Sequence, residues 1–420
     1  MIKKQALLET ITSFYLKSRD FNGIPVRDLA NKYKVKIDDL IGILTELIKE
    51  ERIDIVFGDI HPNPHIKAFD EPKEEQITKI TPAKLNQACA YPSTAHLKEA
   101  VDSTVYQDRP YVLCLALGTS QLDFKAFELS ILEYYRNDPR YYYNNDDIRG
   151  HISAHDTEGM AERDQVFLQT FGFCYDSNLN RAVAVFVRYL ADLSPEHQQI
   201  WKAKELSGDY KLHPDYYRNT ILGEWVEKIP IFDAFIYEMK IINQMARVME
   251  RPPFFKEDFS DHAKPREFGF LVRPTLKEFE DFVRLLDKLI SDNINKDFFL
   301  QEVPFEHEDE ANDGKKRVRD KGTLTILDEW LQLYFHLEDR TPINEMLKIF
   351  KLIRKLRQPP AHSISDNLFD QKYIHKQRDL IGKAYTGIRT LRHIFANHPK
   401  VRVTKIEIPE SIFKGEIRSY

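Results

Sequence analysis

Apolar residues recur at helical spacing through the last third of the chain. Leu276, Phe279, Val283, Leu286, Leu289 and Ile290 form one stripe, and Ile343, Leu347, Phe350, Ile353 and Leu356 form another. Tyr373, Leu380, Ala384, Ile388, Leu391 and Phe395 form a third, longer one. With the Leu-rich stretch around Trp330 and Phe335, these predict helices over 275–294, 323–337, 341–357 and 370–397. Thr275 followed by Glu278 is a capping-box pair that fixes the first start. Four amphipathic helices with one long connection predict an antiparallel bundle over 274–399, followed by a tail over 400–420.

The N-terminus shows the same period in shorter pieces. Ala6, Leu7, Ile11, Phe14 and Tyr15 predict a helix over 3–16, and Gly23-Ile24-Pro25 breaks it. A short helix over 26–33 and a longer one over 37–50 follow, the latter with Leu40, Ile41, Leu44, Leu47 and Ile48 on one face. Residues 53–57 and 65–69 read as strands around a Gly- and Pro-containing loop. This order resembles a winged helix-turn-helix over 1–70. The outward positions of its third helix include Asp38, Asp39, Glu46, Glu50 and Glu51. Carboxylates there oppose phosphate, so a protein contact is a fitter role than a DNA groove. The charged, Pro-containing stretch 70–75 marks the boundary.

Between 88 and 256 the pattern is mixed and predicts a mostly helical region. The apolar run 110–118 fits a buried strand or a core helix equally well. Residues 182–193 read as an apolar helix, Ser194-Pro195 as the cap and first residue of the next, and 229–248 as another ended by Arg251-Pro252-Pro253. The fold class expected is therefore mainly α: a winged helix, a mostly helical middle and a C-terminal four-helix bundle.

Charge sharpens this picture. The net charge is only −5, yet residues 340–405 carry 15 Lys and Arg against 4 Asp and Glu. A basic segment inside an acidic remainder marks where a polyanion would bind. The three cysteines are scattered, which predicts reduced thiols rather than a disulfide framework. No apolar run has membrane-spanning length and no signal-peptide core is present, so a cytoplasmic protein with no membrane contact is expected. The Walker loop, the dinucleotide fingerprint, the Gly-x-Ser-x-Gly elbow and the His-Glu-x-x-His pair do not occur.

Candidate chemistry is sparse. Tyr134, Tyr135, Tyr141, Tyr142 and Tyr143 flank a turn and read as packing before they read as a base-stacking platform. His151 and His155 would sit one turn apart on a helix, near Asp146 and Asp147, but no further metal ligand is identifiable. His375, His393 and His398 read as surface or packing histidines. The sharpest feature is Arg357-Gln358-Pro359-Pro360-Ala361-His362, at a proline-enforced break between the last two predicted helices. Arg357 projects from the apolar face, so it must seal the bundle with a carboxylate or point into a groove.

That arrangement resembles the HEPN superfamily, four-helix domains carrying an arginine, four to six residues, then a histidine. The resemblance covers about 274–399. The residue after the arginine, often Asn, Asp or His in active members, is Gln358 here. The resemblance implies a metal-independent endoribonuclease of toxin or phage-defence type that acts as a homodimer through the bundle and needs no cofactor or metal. His362 would exchange protons with the ribose 2′-hydroxyl, and Arg357 would clamp the phosphate. Gln358, Arg354, Lys355 and Lys351 would contact RNA. The alternatives are a catalytically inactive interaction domain of the same type, or a regulator that binds nucleic acid or a protein through the winged helix.

Overall fold

The computed structural model describes residues 3–18, 20–58, 71–225, 228–259, 264–310, 316–335, 339–358 and 366–418. They form two compact units: residues 1–143 with 149–216, and residues 144–148 with 217–420.

The first unit begins with the helices Lys4–Lys17, Val26–Tyr33 and Asp38–Lys49 around a small core that includes Leu7, Leu29, Leu44 and Leu47. Three strands close it: β1 (Ile24–Pro25), β2 (Ile53–Phe57) and β3 (Ala88–Pro92), in the order β1-β3-β2. The expected second wing strand at 65–69 lies outside the described residues. The partner of β2 is β3 instead, with Ile55 opposite Ala90. Asp38, Asp39 and Glu46 are exposed, and Glu46 and Glu50 pair with Lys4.

The larger part of this unit overturns the mainly α expectation. Its centre is a seven-stranded sheet of β4 (Phe124–Phe127), β5 (Tyr141–Asn145), β6 (Arg149–Ala154), β7 (Phe167–Tyr175), β8 (Arg181–Phe186), β9 (Glu205–Leu206) and β10 (Lys211–Leu212). The order is β5-β6-β7-β8-β4-β9, with β10 also on β7, and the fold is mixed α and β. Much of the predicted apolar helix over 182–193 is strand β8, followed by the short helix Val187–Ala191. Five consecutive buried residues, Ala182 to Phe186, show no period that would separate strand from helix. The run 110–118 resolves the other way, as the helix Pro110–Ala116. Ser194 does cap the helix Pro195–Lys202, its hydroxyl accepting from the His197 N–H at 3.3 Å.

The tyrosine cluster is mostly packing. Tyr135 and Tyr141 are fully buried, and the Tyr135 hydroxyl meets His197 Nδ1 and Trp201 Nε1, both at 2.9 Å. Residues 149–154 are strand, so the helical spacing supposed for His151 and His155 does not arise; both rings lie near Tyr142, at 4.9 and 5.7 Å.

The second unit is built on five helices: Ile231–Val248, Leu276–Asp287, Thr323–Tyr334, Thr341–Leu356 and Lys372–Ala396. The first, read from sequence as part of the middle region, packs along the last and shares its core. Phe254, Phe298, Trp330 and Phe395 pack together at the centre, mostly edge to face, with Phe298 and Phe395 stacked 5.4 Å apart. Thr275 caps its helix as the spacing predicts, and Glu278 accepts from the Val272 and Arg273 N–H groups. The stretches Glu306–Glu310 and Lys316–Asp320 are strands β12 and β13 of an antiparallel hairpin that sets acidic sequence opposite basic. Two further short strands, β11 (Ile229–Pro230) and β14 (Ile417–Arg418), pair in parallel. Asp147 and Asp146 bind Arg418, Asp147 at 2.6 Å. Among the described residues no helix is long and apolar enough to cross a membrane.

Candidate functional site

Two arginine-centred clusters stand out in the second unit. The first is built on Arg357, which closes the helix Thr341–Leu356. Its Nη1 donates to Asp287 Oδ2 at 2.7 Å and to Asp292 Oδ2 at 2.8 Å. The two carboxylates bracket a π-turn, Lys288–Asp292, that continues the Leu276–Asp287 helix. Five residues make far more than one α-helical turn but close to one wider π-turn, so this irregularity brings both acids to one guanidinium. Asp287 is fully buried, and among the described residues its Oδ1 carries no hydrogen bond. Arg357 thus takes the sealing role, and its pKa is raised by the two carboxylates.

His362 lies outside the described residues, as does the whole stretch 359–365. Of the residues expected to touch RNA, Lys351, Lys355 and Gln358 are exposed and Arg354 is half-buried. Lys351 lies 3.6 Å from Asp328, which also takes Arg340 at 2.7 Å.

The second cluster closes the Lys372–Ala396 helix. Arg392 is only 2% exposed, and its Nε donates to Glu238, fully buried on the Ile231–Val248 helix. Burial pushes the Glu238 carboxyl up while Arg392 pulls it down. Arg392 Nη2 lies 3.5 Å from His393 Nε2. The His393 imidazole is exposed at its edge, and partial desolvation with the Arg392 and Arg389 guanidiniums holds its pKa below the usual value. His398 caps the next short helix, Pro399–Val403. Its ring is half-buried, among the described residues its Nδ1 makes no hydrogen bond, and desolvation, Arg251 and Lys400 lower its pKa. Exposed Lys400 and Arg402 continue the cationic end, the first pairing with Glu250 at 2.5 Å, the second donating to Asn397 Oδ1 at 2.9 Å.

Chemically, the second cluster offers two imidazoles held below their usual pKa beside guanidinium and ammonium groups, of which Arg392 and Lys400 are paired with Glu238 and Glu250. Its signal was in the sequence. Arg392 and His398 repeat the arginine–histidine spacing with five residues between, and the residue after the arginine is His393. In sequence, His393 and His398 read as surface or packing histidines, and Arg392, four residues after Ile388, falls on the same helical stripe as core residues. Its partner Glu238 is 154 residues away.

Comparison with protein-family models, curated proteins and solved structures gave no match to this chain.

Proposed function

We propose that the chain is a metal-independent endoribonuclease that works at the C-terminal end of the Lys372–Ala396 helix. The carrying observation is exposed His393 near the end of this helix, its Nε2 3.5 Å from the buried Arg392 guanidinium, with His398 five residues on; desolvation and neighbouring cations hold both below their ordinary pKa. A neutral imidazole at physiological pH can take the proton of a ribose 2′-hydroxyl, and in exposed His393 the nitrogen that does so is Nε2, which exchanges the Arg392 guanidinium 3.5 Å away for the substrate hydroxyl. The 2′-oxygen then attacks the adjacent phosphorus, the 5′-oxygen of the next nucleotide leaves with a proton from solvent or a second imidazole, and a 2′,3′-cyclic phosphate remains. Exposed Lys400 and Arg402 are the cations assigned to the phosphate, Lys400 exchanging Glu250 and Arg402 exchanging Asn397 for it; buried Arg392 acts through Glu238 and His393 as a positioning residue. The homodimer through this unit belongs to the same reading, supported by Leu352 and Leu356, exposed one turn apart beside Arg357.

The test is cleavage of a labelled single-stranded RNA with chelator present. His393→Ala and His398→Ala are each expected to lower the rate by at least about a hundredfold, the scale of one general acid or base. Arg357→Lys and His362→Ala, run in parallel, separate the two arginine–histidine pairs. Unchanged cleavage in both His393→Ala and His398→Ala sinks the proposal.

The alternative of a DNA-binding regulator is less well supported, because exposed Asp38, Asp39 and Glu46 occupy the surface a phosphate backbone would meet.

A further inference from the structure

The second unit also contains a cleft of about 310 Å³ against the Ile231–Val248 helix, sharing no residue with the arginine clusters. That volume lies at the small end of ligand sites, roughly 300–1,000 Å³. Asp233, Tyr237 and Lys240 line it at helical spacing, while Glu238 on the same helix is buried against Arg392. Lys264 also lines it and pairs with Asp233 at 2.5 Å. Phe259 contributes a ring from a left-handed backbone, φ 52°, a conformation costly for a bulky side chain. The approach to that residue is fixed by Asn243, whose amide donates to the Phe255 carbonyl at 2.9 Å and to Asp258 at 3.2 Å.

Among the described residues, two lysines stand against one carboxylate in the cleft, an excess of one positive charge. Lys240 carries it: among the described residues it forms no ion pair, and its Nζ lies 5.6 Å from the Tyr237 ring centre. A small inorganic anion would satisfy the lysines but leave Tyr237, Phe259 and Ile236 wet. A neutral aromatic would cover the rings and leave Lys240 uncompensated. A ligand joining a planar ring to a phosphate meets both demands. We propose that this cleft binds a nucleoside monophosphate, with the base against Tyr237 and Phe259 and the phosphate on Lys240 and Lys264. The site is independent of RNA cleavage.

Titration calorimetry on the full chain tests it, with AMP, CMP, GMP and UMP as ligands and adenosine and inorganic phosphate as the separated halves. At least one monophosphate is expected to bind with a Kd of about 1 mM or tighter, and each half about tenfold more weakly. Lys240→Gln should weaken that binding about tenfold with an unchanged unfolding temperature, since no ion pair is broken. Phe259→Leu should also weaken it, and because Phe259 packs against the core the variant's unfolding temperature is measured alongside, so that lost binding is separated from lost fold. His393→Ala should leave it unchanged. No binding by any of the four at that concentration, equal binding by a separated half, indifference to Lys240→Gln, or loss in His393→Ala would each overturn the assignment.

Discussion

Arg392 and Glu238 form an ion pair from which water is excluded on both sides, the arginine at 2% exposure and the glutamate at zero. They join the last long helix of the second unit to its first. Removing one partner leaves a charge buried without compensation, which costs about 3–5 kcal/mol, whereas removing both for apolar groups is often neutral or favourable. Glu238→Ala should therefore lower the free energy of unfolding in urea by about 3 kcal/mol or more, and the double variant Glu238→Met with Arg392→Met by much less. A Glu238→Ala cost below about 1 kcal/mol would mean that the pair does not hold these helices together.

Arg357 is tied differently, because its side chain is 37% exposed while Asp287 beneath it is fully buried. Solvent screens the attraction on the arginine side, but the buried carboxylate depends on it. Arg357→Ala and Asp287→Ala should each destabilise by about 1–3 kcal/mol, and Asp292→Ala, at an exposed carboxylate, by about 0–1. A loss of RNA cleavage in Arg357→Ala is consequently ambiguous unless its unfolding curve is measured alongside. Equal costs for Asp287→Ala and Asp292→Ala would contradict this division of the two acids.

The helices of the second unit were legible because each buries one stripe and wets the other face. The helix predicted over 341–357 is observed as Thr341–Leu356, and that over 370–397 as Lys372–Ala396. The seven-stranded sheet was not legible for the opposite reason. Strand β8 is buried along Ala182–Phe186, and β7 alternates only from Phe167 to Thr170 before it too is buried. There the period of two disappears, and Gly172 lies against the Tyr216 ring, a contact no local pattern reveals. At the helix end, the arginine–histidine spacing was visible, but the glutamate that holds Arg392 is brought to it only by the tertiary fold.

Gly387 marks where the Lys372–Ala396 helix approaches Phe350 most closely. A methyl group added there would lie 2.8 Å from the Phe350 ring edge. Alanine has the better helix propensity by about 1 kcal/mol, while overpacking a core costs about 1–3 kcal/mol. Since Phe350 is itself buried and cannot swing into solvent, packing wins. Gly387→Ala should lower the unfolding temperature, and Gly387→Ala with Phe350→Leu should restore part of it. A stabilised single variant would show that the two helices can slide apart at no cost.

The lowered histidine pKa values at His393 and His398 set a sign for pH dependence. As pH falls past about 6.5, the unfolded chain protonates these rings first. It then binds more protons than the native state, so stability falls with falling pH from about 6.5 down through the native values, and these rings contribute nothing above that window. His96, His151 and His197 are lowered too and act in the same direction. Glu238, pushed up by burial, acts in the opposite one, which makes a single-site comparison necessary. Urea unfolding at a series of pH values should therefore show a shallower acid decline in His393→Gln than in the parent chain. The same lowered pKa keeps the proposed general base neutral further into acid, so the acid limb of kcat/KM for RNA cleavage should fall below about pH 6.5. An acid limb above that value, or an unchanged decline in His393→Gln, would show that His393 is not held neutral by Arg392 and Arg389.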